Sequence, residues 1–148
     1  MKKIIRWNLE IMNKIHPTFV FSFFIIISLV LHLLIVLRIY YPGNMISMPL
    51  TGGMLLAWLF ASRAVKDMLD SHKSLNLKSL LADLPSWWRY LLLFFTSYGI
   101  INFISTLSPE SGNGWVDLNL GHDKLRGISG FWVLFYALGF SAAYLKEK

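Results

Sequence analysis

Four stretches of the chain are apolar for long enough to set its architecture, and each is bounded by polar or turn-forming residues. The first, residues 17–41, reads PTFVFSFFIIISLVLHLLIVLRIYY. Of its 20 residues from Thr18 to Leu37, only Thr18, Ser22, Ser28 and His32 are not apolar. At ~1.5 Å rise per residue that run reaches ~30 Å, the thickness of a bilayer's hydrocarbon core. The pattern predicts a transmembrane helix. Leu, Ile, Phe and Val each favour insertion by roughly 0.3 to 0.6 kcal/mol, so together they outweigh one histidine. Pro17 suits the first turn, and Tyr40, Tyr41, Pro42, Gly43 and Asn44 end the run with interfacial rings followed by turn residues.

The second stretch, MISMPLTGGMLLAWLFAS, predicts a span over 46–63. It starts near Ser47 or Met48, ahead of Pro49, and a very short loop makes it pack antiparallel against the first. Thr51, Gly52 and Gly53 keep one end small enough for close helix contact. The helix is expected to continue into water to about residue 70, with Arg63 and Asp67, then Lys66 and Asp70, at i,i+4 spacing. A third span over 87–107 opens on Trp87, Trp88, Arg89 and Tyr90, and carries a small and polar stripe of Thr96, Gly99, Asn102, Ser105 and Thr106. The fourth, over 127–145, has Gly130, Ala137 and Ser141 on one side and Gly139 and Ala143 on another.

Two weaker patterns flank these spans. Residues 2–15 set Ile4, Ile5, Trp7, Leu9 and Ile11 against Lys2, Lys3, Arg6 and Lys14, which predicts a basic amphipathic helix lying in the headgroup region. Leu77, Leu80, Leu81 and Leu84 predict a short surface helix that Pro85 stops. The expected fold is an all-α membrane protein. It is an antiparallel four-helix transmembrane bundle with an N-terminal amphipathic interfacial helix, the whole chain forming one integral-membrane domain.

Composition adds little to this: 148 residues, 55% hydrophobic and 16% aromatic, with a mean hydropathy of +0.54. Charge adds more. Of 14 Lys and Arg residues, only Arg38, Lys124 and Arg126 lie in the two loops on one side; the remainder lie on the other. By the positive-inside rule both termini and the middle connector face the cytoplasm. The net charge of +6 then needs no nucleic acid, and no basic stripe interleaved with aromatics supports one. Nor are the loops balanced enough for dual topology. The absence of cysteine excludes disulfides, thiolate metal sites and cysteine nucleophiles.

Ionisable groups at membrane depth point to function, and His32 is the one well inside a span. Comparing depths across the spans places Thr51, Asn102 and Ser129 at its level. A polar layer in the outer third of the bundle is therefore expected, with neutral His32 bonded to Asn102 or Thr51 and Ser28 one turn away. Such a layer either joins helices, at about 0.6 kcal/mol per bond, or handles a proton or ligand. The outer loop, residues 108–126, offers Trp115, Asp117, His122 and Asp123 as a docking surface. Those carboxylates and imidazole could bind a metal, but in a Gly-rich loop they are expected to be solvated. His16, His72 and His122 supply no imidazole facing His32 at one depth, so no haem is expected, nor any other cofactor. No nucleophile elbow, HExxH or phosphate loop is present.

The expected function is therefore that of a small bacterial-type inner-membrane protein acting without catalysis. Beyond the lipid bilayer, its partner would be another membrane protein, as for an accessory subunit, or a membrane-acting toxin, as for an immunity-type protein. The alternative is a homo-oligomeric transporter or channel with His32 and Asn102 lining the path.

Overall fold

The computed structural model describes residues 16–71, 77–105 and 122–148, and every regular element among them is helical. The interfacial helix expected over residues 2–15 lies outside the described residues. The elements are α1 (Pro17–Val36), α2 (Asn44–Ser71), α3 (Leu77–Ala82), α4 (Ser86–Ile104) and α5 (His122–Glu147). Three of them, α1, α2 and α5, are long and apolar enough to cross a membrane. Helix α4 has 19 residues, but Arg89, Asn102 and four Trp or Tyr rings lower its mean hydropathy.

α1 stops at Val36 rather than running on to Tyr41. The Arg38 N–H donates to Ile35 O at 3.0 Å and the Ile39 N–H to Leu34 O at 2.9 Å, while Arg38 takes φ 57°. These are the two bonds and the left-handed residue of a Schellman cap, which satisfies carbonyls that the helix end leaves open. α2 begins earlier than expected, at Asn44, so Pro49 sits inside its second turn. The carbonyl deprived of a donor there belongs to Met45, which is 92% exposed at the helix end.

The packing corrects the expected bundle. Of the five described helices three are long and apolar enough to cross a membrane, and the long ones do not form a ring of neighbours. Instead α5 is a hub, and every extensive helix–helix contact among the described residues includes it. Of its 26 residues 13 are buried, against three of 20 in α1, so the chain's most apolar helix is peripheral. α1 is antiparallel to the hub: His32 meets Ser129, and Thr18 meets Glu147. α4 is also antiparallel to it, with Asn102 against Arg126 and Trp88 against Ser141. α2 is parallel to it, with Thr51 against Trp132 and Ala61 and Ala64 against Ala142.

The residue types of α5 explain its place. Gly127, Ser129, Gly130, Ala137, Gly139, Ser141, Ala142 and Ala143 are all buried, so neighbouring backbones can approach from several sides. At Gly139 a Cβ would stand 2.6 Å from the Phe21 ring of α1. Trp132 and Tyr136, the largest enclosed side chains of the hub, fill the space towards α1 and α2 together with Ile35, Leu50 and Ala57. The Tyr136 hydroxyl donates to Leu50 O at 2.9 Å and lies where a Cβ on Gly53 would be.

Candidate functional site

Most of the buried polar side chains gather toward the His122 end of the hub, with Ser141 toward the other end. On α1, Ser28 and His32 stand one turn apart and are both buried. The His32 ring, 2% exposed, has its Nδ1 2.7 Å from Ser129 Oγ and its Nε2 2.7 Å from the Tyr98 hydroxyl of α4. Tyr98 also meets the imidazole edge to face, with ring centroids 5.4 Å apart.

The directions of these bonds follow from one fixed acceptor. Ser129 Oγ lies 3.0 Å from the Arg126 carbonyl, which can only accept, so the serine proton goes there. Ser129 Oγ then accepts from His32 Nδ1–H, leaving Nε2 to accept from the Tyr98 hydroxyl. The chain of donation runs from Tyr98 through His32 and Ser129 to the Arg126 carbonyl, which assigns the Nδ1–H tautomer. Asn102 Nδ2 donates to the same carbonyl at 2.8 Å. Three helices are thus tied at one level. Gly130 makes room for them: a Cβ there would meet Asn102 Nδ2 at 3.1 Å and His32 Cε1 at 3.8 Å.

Of the residues expected in a polar layer, His32 and Ser129 are joined directly. Asn102 enters through the Arg126 carbonyl rather than by a bond to His32. Thr51 belongs to another contact: its hydroxyl donates to Ser47 O at 2.8 Å and accepts from Trp132 Nε1 at 3.0 Å, binding α2 to the hub. Tyr98, one turn before Asn102 on α4, is the partner that depth comparison missed. Its i,i+4 spacing from Asn102 was the available signal. Ser28 Oγ is fully buried and has no hydrogen-bond partner among the described residues.

Of the residues expected on a docking loop, Trp115 and Asp117 lie outside the described residues. His122 is not a free docking residue. Its Nε2 donates to Ile35 O at 2.8 Å, its ring stacks on Tyr41 at 6.4 Å, and its Nδ1 lies 3.7 Å from Asp123 Oδ1. It therefore closes the end of α1 from the first turn of α5. Among the described residues no three metal-ligating side chains converge.

A serine beside a histidine invites comparison with a nucleophile and its base. Here Ser129 directs its proton to a backbone carbonyl, and both side chains are sealed from substrate. What the arrangement does chemically is fix register: it satisfies polar groups on α1, α4 and α5 only when the three helices are aligned. No family model, curated protein or solved structure matches the chain.

Proposed function

We propose that the chain is a four-span integral membrane protein of a bacterial-type inner membrane, with both termini cytoplasmic. It acts without catalysis, by binding another membrane protein as an accessory subunit or by intercepting a membrane-acting toxin. The observation that carries this reading is the division of labour in the fold: polar side chains of the spans bond to one another inside, while large apolar ones cover the perimeter. Phe19, Phe23, Ile26, Val30 and Leu33 on α1 and Leu55 and Leu56 on α2 are each at least half exposed. α4 supplies the fourth span; its 19 residues reach ~28 Å, and exposed Trp87 and Tyr90 mark its start as an interface. A surface of this kind suits lipid and other helices. The channel reading needs His32 on a path through an oligomer, and the enclosure of its ring against the hub favours partner binding instead.

The chain contains no cysteine, so single introduced cysteines report topology cleanly. A Gly43→Cys thiol should react with an impermeant maleimide in intact cells, and a Ser71→Cys thiol only after lysis. Release of the chain by alkaline carbonate would overturn the membrane reading. Photo-crosslinkers on the exposed faces of α1 and α2 should then capture a different membrane protein in a fixed ratio. A symmetric homo-oligomer with His32 at its axis would reverse the choice.

A further inference from the structure

At the Glu147 end of the molecule a furrow of about 390 Å³ runs along α2 beside Lys146 of the hub. Its wall has a definite polarity along the helix. Leu56, Leu59 and Phe60 come first, Arg63 is one turn further, and Asp67 one turn beyond that, with Lys146 facing them from α5. Leu56 and Leu59 are 67% and 47% exposed, an apolar strip open to the outside. Among the described residues, the Arg63 guanidinium, the Lys146 ammonium and the Asp67 carboxylate have no side-chain partner, although Arg63 and Asp67 stand at i,i+4 spacing.

We infer that this furrow binds one phospholipid with a primary-amine headgroup, of the phosphatidylethanolamine class. An acyl chain lies on Leu56, Leu59 and Phe60, the phosphate sits between Arg63 and Lys146, and the ammonium meets Asp67. The order of the wall is the order of the lipid. From Arg63 to Asp67 the helix rises ~6 Å, comparable to the two-carbon spacer between phosphate and amine. Basic residues at the cytoplasmic end of packed spans are suited to lipid phosphates. Asp67 narrows the class. A phosphatidylglycerol brings no cation to it and sets phosphate near a carboxylate, while the quaternary ammonium of phosphatidylcholine has no N–H to donate.

The inference rests on the membrane reading above, and the test separates the two. The purified chain in detergent is titrated with phosphatidylethanolamine, phosphatidylcholine and phosphatidylglycerol of identical acyl chains, and bound lipid is counted by native mass spectrometry. Phosphatidylethanolamine should be retained about tenfold better than phosphatidylcholine, as expected for one charge-assisted bond. Asp67→Asn should abolish that preference and raise phosphatidylglycerol binding. The Arg63→Gln, Lys146→Gln double variant should weaken all three lipids. All three substituted residues are exposed, so the variants keep the fold. Equal retention of the three lipids, a preference for phosphatidylglycerol, or an unchanged preference in Asp67→Asn would each overturn the site. In those cases the chain would still resist alkaline carbonate, whereas its release would defeat the membrane reading itself.

Discussion

At the scale of single residues, the core contrasts a satisfied histidine with an unsatisfied serine one turn away. His32 uses both ring nitrogens, so its bond to Tyr98 couples α1 to α4 across the hub. In a double-mutant cycle of His32→Ala and Tyr98→Phe, unfolding in detergent should show a coupling of about 0.6 kcal/mol, and no more than roughly 1.7. Zero coupling would mean that the two side chains do not meet. Ser28 is the opposite case, because a buried hydroxyl without a partner costs about 1 to 3 kcal/mol. Ser28→Ala should therefore leave the melting temperature unchanged or raise it, and a clear drop would reveal a bond that the hydroxyl does make. Depth along the predicted spans put Ser129 at the level of His32, but the bond was expected to Asn102 or Thr51, and it goes to Ser129. Depth could not find Tyr98, because a tyrosine among Phe94, Phe95 and Ile100 reads as one more apolar ring until the rotation of α4 is known. Nor could spacing reveal the Arg126 carbonyl, since an acceptor on the backbone carries no side-chain signature.

Among the helices, close approach decides which glycines matter. Gly139 faces the Phe21 ring, whereas a Cβ on Gly52 would meet nothing within 4 Å. Gly139→Ala should destabilise the fold by roughly 1 to 3 kcal/mol through overpacking, and Gly52→Ala should be neutral or stabilising by up to ~1 kcal/mol through helix propensity. Both follow from thermal unfolding in detergent, and equal effects would contradict the packing. The left-handed Arg38 makes a second test at this scale. Arg38→Gly should stabilise the cap of α1 by up to about 1 kcal/mol, because glycine takes φ 57° without a Cβ penalty. The helices themselves were legible from runs of apolar residues. Their ends were less so: neither Arg38 as a left-handed cap nor Pro49 within a second turn follows the residue preferences on which such readings depend.

For the molecule as a whole, the arrangement of three helices on one was hidden by uniform apolarity. A helix apolar on every side gives no direction to its buried face, so the pattern of α1 does not reveal that it lies at the periphery. The small residues on several sides of α5 were the readable clue, since only a hub needs close approach all round. Its far end is tied by the Thr18 hydroxyl, which donates to the Glu147 carboxylate at 2.7 Å. That bond holds the Glu147 pKa below its ordinary value against an opposing desolvation, with His16 adding to the lowering. A depressed carboxylate pKa contributes stability above the usual carboxylate range, and the contribution is lost as pH falls through the folded value. Acidification through that range should therefore lower the melting temperature of the native chain more than that of Thr18→Val, which lacks the donor. Equal slopes would dismiss the tie. The position of the hub also has a consequence in time. Synthesis runs from the N-terminus, so α1, α2 and α4 emerge from the ribosome before the helix on which all three pack. Until residues 122–147 follow them, these helices share no extensive contact among the described residues. Packing of these helices on their shared partner therefore waits for α5.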